Sequence, residues 1–174
     1  MRSIGIDFGT TNTVMAESAA GGGVQSILFP FENQKLETLR SALCFSKPTA
    51  PLSRDLNVAA GPYAIQQFID DPWESRFLQS IKTFAASSLF TGTTIFSRHY
   101  QFEDLLEAFF TCARSYAGAQ LQPLPTRVVM GRPVTFAGAQ ADEKLAIQRC
   151  GALVSKTFSM SMNPSLPRSS LPSR

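Results

Sequence analysis

The chain is poor in the residues that bring ready-made chemistry. Its three cysteines, Cys44, Cys112 and Cys150, are odd in number, far apart and without a C-x-x-C pair. That excludes a disulfide framework and a cysteine-rich zinc site, and leaves buried thiols in a reducing compartment as the expectation. His99 is the only histidine; with no partner ligand nearby in sequence it is expected in a polar Ser97–Gln101 connection. No stretch approaches the roughly 20 apolar residues of a membrane span. Met1-Arg2 leads directly into a strand pattern that contains Asp7, so no signal peptide is expected and the chain reads as cytoplasmic. The net charge is only +3 and no basic run is interleaved with aromatics, which argues against nucleic acid as a partner. Neither G-x-x-x-x-G-K-[ST] nor G-x-G-x-x-G occurs, so the Walker and dinucleotide-binding loops are excluded.

What is present begins at the fourth residue. Ile4-Gly5-Ile6-Asp7-Phe8-Gly9-Thr10-Thr11-Asn12-Thr13 runs a β-branched strand into a carboxylate, a glycine turn and two adjacent hydroxyls. Asp7 would stand at the strand end, where a hydrated cation could be held. Gly9 lets the backbone turn tightly with no side chain in the way. The amides of Gly9, Thr10 and Thr11 could face phosphate oxygens as an anion-binding nest, with the threonine hydroxyls as further donors. The same residues also suit an ordinary hairpin, Ile4–Phe8 and Thr13–Glu17 joined by a turn at Gly9–Asn12.

At 174 residues and 44% hydrophobic content, the chain is long enough for one soluble domain and short for two. Arg2–Asp7, Thr13–Glu17 and Val24–Phe29 read as three short strands separated by turn residues. A polar loop around Glu32–Arg40 precedes a fourth strand at Leu43–Ser46. Ala59–Asp71 has helical spacing, with Ala60, Ala64, Phe68 and Ile69 on one side, and Asp70-Asp71-Pro72 ends it. Phe77–Phe84 carries Lys82 in an apolar setting; on its own Lys82 reads as a solvated lysine on an edge strand. Phe102–Leu121 is the clearest helix, with Leu105, Leu106, Phe109, Phe110, Ala113 and Ala117 recurring at helical spacing. Arg127–Met130 reads as a buried strand, Gly131-Arg132-Pro133 as a turn and Ala137–Cys150 as a helix. A meander followed by helix–strand–helix alternation predicts an α/β domain with a mixed sheet and covering helices.

Several blocks then resemble, in order, the amino-terminal lobe of the DnaK-type heat-shock chaperones, within the actin-like (ribonuclease H-like) ATPase superfamily. The resemblance is closest to their YegD-like bacterial branch. Ile4–Thr13 is similar to the first phosphate loop, I-G-I-D-x-G-T-T-N. Leu39-Arg40-Ser41-Ala42-Leu43-Cys44-Phe45 stands where the family has T-x-P-S-x-x-x-F, with Arg40 in place of the usual proline. Val58-Ala59-Ala60-Gly61-Pro62-Tyr63-Ala64 resembles the V-G-x-x-A helix start. Ser80-Ile81-Lys82-Thr83-Phe84 resembles the segment that carries the family's catalytic lysine. Val128-Val129-Met130-Gly131-Arg132-Pro133-Val134 resembles the strand before the connecting helix, in its G-R-P form. The resemblance covers residues 2–150, the expected first lobe of an actin-like ATPase domain.

The resemblance implies a site for ATP or ADP with magnesium. Asp7 would hold Mg2+ through water, since that ion keeps much of its hydration shell. Gly9, Thr10, Thr11 and Asn12 would hold the β- and γ-phosphates. Lys82, with Asp7 and Thr10, would carry the catalytic role, in a reaction governed by positioning and electrostatics. Unfolded protein clients would be partners of the intact parent.

The family's second phosphate loop (D-x-G-G-G-T), its E-P-[TV]-A-A-A segment and its adenosine site do not occur in these residues. Without the opposing clamp, negligible ATPase activity is expected of this polypeptide. Gly151–Arg174 has no acidic residue and is rich in serine and proline, which predicts disorder. A natural tail is one reading of this segment, and a shifted reading frame is the other. Codons built from the last base of one codon and the first two of the next force glutamate at Met162-Asn163. They then permit P-V-A-A-A through Arg168, within F-E-D-I-L-Y-V-Y-E-P-V-A-A-A. The shift would lie near Cys150–Val154, and nucleotides unable to encode that string would dismiss it. Two alternatives stand beside this reading: a fragment of another actin-like ATPase such as a sugar kinase, and a nucleotide-free interaction module.

Overall fold

A computed structural model describes residues 2–18, 21–48, 55–85, 87, 89–131, 149–150 and 157–158. The fold is mixed α/β, with a mixed sheet and few helices. In chain order the strands are β1 (Ser3–Phe8), β2 (Asn12–Ser18), β3 (Val24–Ser26), β4 (Phe29–Phe31), β5 (Gln34–Leu36), β6 (Thr38–Arg40), β7 (Ala42–Ser46) and β8 (Asn57–Ala60). Helix α1 (Gly61–Asp70), β9 (Ser75–Gln79), a 3-10 turn at Ile81–Phe84, β10 (Thr93–Ile95), β11 (Arg98–Tyr100), α2 (Phe102–Ala117) and β12 (Arg127–Met130) follow.

The main sheet has the order β12-β1-β2-β3, and β6 also pairs with β2. β1 and β2 form an antiparallel hairpin in which Asp7 faces Val14 and Phe8 faces Thr13. β12 lies parallel to β1, Ser3 beside Arg127 and Ile6 beside Met130. A parallel pair needs a long crossover, and here the crossover contains everything from β2 to α2. Alternation along β1 buries Ile4, Ile6 and Phe8 and exposes Gly5 and Asp7. One face of β1 therefore feeds the core, while the other carries the carboxylate.

Helix α2 covers the buried face. It buries Phe102, Leu105, Leu106, Phe109, Phe110, Cys112, Ala113, Tyr116 and Ala117, which includes every apolar position the helical spacing singled out. The Phe8 ring lies 5.6 Å from Phe109 and 5.5 Å from Phe110. A capping box starts the helix: Gln101 and Asp104 each bond the other's backbone, satisfying two amides that the first turn leaves without helical partners. The α-helix stops at Ala117, and residues to Leu121 continue as a 3-10 turn.

Elsewhere the structure departs from the sequence reading for local reasons. The loop expected around Glu32–Arg40 contains β5 and β6, which find partners in β4 and β2. Val24–Phe29 divides into β3 and the first residue of β4. Ala59 and Ala60 end strand β8, and the helix begins only at Gly61. Gly61 takes φ +63, which favours glycine, and a Cβ there would drive into the buried Leu39 side chain. Ala64 is buried, but Phe68 and Ile69 are exposed: the helix lies on a three-stranded sheet, where Phe68 stacks on Phe77 at 5.3 Å. Phe77–Phe84 is broken by Ser80 at φ 58, so Lys82 sits in a 3-10 turn instead of an edge strand. His99 belongs to the β10–β11 hairpin, closed by Phe96 and Ser97 at positive φ. β12 is a strand that alternates, with Val128 and Met130 half-buried and Arg127 and Val129 exposed, so it is not buried on both faces.

Cys44 and Cys112 are buried, and Cys150 is half-buried. The expected Ala137–Cys150 helix lies outside the described residues except for Arg149 and Cys150, which are helical. Of the stretch expected to be disordered, Thr157 and Phe158 are described and helical. Phe158 is fully buried and packs 6.1 Å from the Phe110 ring, while the Thr157 carbonyl accepts from Arg114 at 2.7 Å. At these two residues a large aromatic ring finds the core despite a polar neighbourhood in sequence. No helix among the described residues is long and apolar enough to cross a membrane.

Candidate functional site

The β1–β2 turn is the chemical focus of the fold. Phe8, anchored under α2, fixes where the strand ends, and the chain reverses over Gly9, Thr10, Thr11 and Asn12. The Gly9 amide donates to the Asn12 carbonyl at 3.0 Å. A Cβ on Gly9 would meet that carbonyl oxygen far inside van der Waals contact, so glycine is needed by close approach. Thr10, Thr11 and Asn12 are exposed. The plain hairpin and the phosphate cradle were alternative readings of Ile4–Thr13. The structure contains the hairpin, and its tip is where a cradle would have to be. One assignment changes: the Gly9 amide closes the turn, which leaves Thr10 and Thr11 as the loop amides to consider for an anion.

Lys82 reaches this turn from far along the chain. Its Nζ donates to the Phe8 carbonyl, 74 residues away, and stands 5.8 Å from the centre of the Phe8 ring. The left-handed Ser80 turns the chain into the 3-10 segment whose buried Ile81 pins the backbone, so that the next side chain points to the strand end. Cys150 lies close enough to feel this ammonium. Burial pushes its thiol up to about 11, and the positive Lys82 opposes that rise.

Asp7 is exposed at the other side of the strand end. Gly131, just beyond β12, donates its amide to the Ile6 carbonyl at 2.7 Å. The position of a Cβ there would be 3.7 Å from Asp7 Oδ1, so the carboxylate lies against a residue without a side chain. Among the described residues no group of three or more His, Cys, Asp or Glu could hold a metal ion. A lone, exposed carboxylate beside a loop fits a hydrated magnesium ion shared with phosphate oxygens, and does not fit a metal held by protein ligands alone.

Two further residues complete the turn. Ser41, between β6 and β7, is 1% exposed. Its Oγ donates to the Gly9 carbonyl at 2.7 Å, its amide donates to the Thr11 carbonyl at 2.8 Å, and its Oγ is 2.9 Å from the buried Thr13 Oγ1. Sequence reasoning placed Ser41 only in a strand block. The available signal was its position next to Arg40, whose register opposite Asn12 follows once β6 is recognised as a strand. The structure thus brings Asp7, Gly9, Thr10, Thr11, Asn12 and Lys82 to one end of the hairpin. No family model matches this chain.

Proposed function

We propose that this chain is the first lobe of a DnaK-type, YegD-like ATPase, and that the β1–β2 turn is one jaw of a Mg-ATP clamp. The observation that carries this reading is the Lys82 ammonium at the end of β1. The contact brings a cation from 74 residues away to a strand end beside two exposed threonines. Its position is the one that charge stabilisation at a terminal phosphate would use. The mixed sheet, with the loop-bearing hairpin beside a parallel strand, also supports an actin-like lobe.

In this reading the amides and hydroxyls of Thr10 and Thr11, both exposed residues, bind phosphate oxygens, with Asn12 at the rim. Lys82 leaves the Phe8 carbonyl for the terminal phosphate. Asp7 would hold a hydrated magnesium ion, which would supply charge neutralisation for the phosphates. The motifs of the opposing jaw do not occur in these 174 residues, so binding without turnover is the expected behaviour of this polypeptide. Unfolded protein clients would belong to the intact parent.

Titration with Mg-ATP, followed by calorimetry, tests this. Saturable binding that Asp7→Ala and Lys82→Ala each weaken at least about tenfold, the loss of one charged contact, supports the reading. A cooperatively folded chain with no affinity for Mg-ATP defeats it and favours the nucleotide-free interaction module.

A further inference from the structure

We propose that Ser41 is the positioning residue of the phosphate loop, acting through a directed chain of hydroxyls that aims the Thr10 amide outward. The ligand class, a nucleotide phosphate, rests on the function proposed above; the positioning itself rests on geometry. A serine hydroxyl has one proton. The Gly9 carbonyl can only accept, so Ser41 Oγ spends its proton there at 2.7 Å. The 2.9 Å contact with Thr13 must then run the other way, Thr13 Oγ1 donating to Ser41 Oγ. The chain Thr13 to Ser41 to Gly9 has a single sense, with each bond polarising the next. Both side chains are buried, so water does not compete for these bonds.

The consequence follows from the planarity of the peptide group. The carbonyl of Gly9 and the amide of Thr10 belong to one trans peptide unit and point in opposite directions. Holding the Gly9 carbonyl toward Ser41 turns the Thr10 amide away from it, at a residue that is exposed. The Ser41 amide fixes the next turn in the same manner, gripping the Thr11 carbonyl at 2.8 Å. Ser41 touches no ligand in this arrangement. It sets which backbone donor the loop presents, before any anion arrives.

Three forms of the full chain test this: wild type, Ser41→Ala, and Ser41→Ala with Thr13→Val. The single variant strands the Thr13 hydroxyl in the core and lowers the thermal midpoint. The double variant removes the stranded hydroxyl and replaces threonine by its apolar isostere, so the midpoint recovers most of its loss, the part-buried Gly9 carbonyl alone still lacking its donor. A merely structural role predicts that Mg-ATP affinity recovers with it. A positioning role predicts that affinity stays about tenfold weaker in both variants, and that the Gly9 and residue-41 amides exchange hydrogen faster in both. Affinity restored in the double variant, or unchanged in the single one, overturns the proposal. If wild type binds no Mg-ATP, the function proposed above falls and amide exchange alone decides. Faster exchange in the double variant at a recovered midpoint upholds the latch; exchange equal to wild type overturns it.

Discussion

At the scale of single residues, two glycines in β1 and its turn make opposite demands. Gly9 is crowded by the Asn12 carbonyl, whereas a Cβ at Gly5 would meet nothing closer than the Ala16 carbonyl at 3.9 Å. Gly9→Ala is therefore expected to cost roughly 1–3 kcal/mol through overpacking. Gly5→Ala is expected to be neutral or stabilising by roughly 0.4–1 kcal/mol, because the unfolded chain loses freedom. Urea denaturation of both variants checks the pair, and equal effects would show that the turn is not tight. The composition of this loop was legible in the sequence: a carboxylate, a glycine and hydroxyls in that order. The reach of Lys82 to Phe8 was not, because a contact across 74 residues leaves no periodic trace. Nor was the role of Ser41, since a serine beside a strand looks the same whether it bonds water or a buried carbonyl.

At the scale of elements, α2 is the piece whose sequence said most. A 3.6-residue spacing of large apolar side chains survives any choice of neighbour, so its buried face could be named from the sequence. The short strands were harder. β4, β5 and β6 have three residues each, too few for alternation to emerge, and each exists because a partner edge supplies its hydrogen bonds. α1 shows the converse: Phe68 and Ile69 have helical spacing, yet both are exposed on a helix that lies on a three-stranded sheet. Since α2 carries the core, Phe109→Ala is expected to cost about 3–5 kcal/mol. Asp104→Ala, which opens the capping box, should cost about 1 kcal/mol. Chemical denaturation midpoints should rank in that order. A Phe109 variant no worse than the cap variant would place the core elsewhere.

At the scale of the whole molecule, burial ties stability to alkaline pH. Desolvation pushes the Cys112 thiol from 9.0 up to about 12 and Cys150 from 9.0 to about 11; it raises the Tyr116 phenol as well. Each group is neutral when protonated, and the fold holds its proton more tightly than the unfolded chain does. Their contribution is complete below pH 9 and fades as pH rises toward the folded values, by about 1.4 kcal/mol per pH unit for each group. Denaturation midpoints should therefore fall from pH 9 to 11, and Cys112→Ala should flatten the fall. A wild-type curve that stays level would contradict the burial of these thiols. The parallel pairing of Ser3–Ile6 with Arg127–Met130 has a consequence for synthesis. A ribosome adds about 5–20 residues per second, so the partner of β1 emerges on the order of ten seconds after β1 itself. Through that interval the hairpin can close, but one edge of its first strand waits unpaired. The nascent chain is most open to wrong strand pairing then, and translation of β12 ends that period.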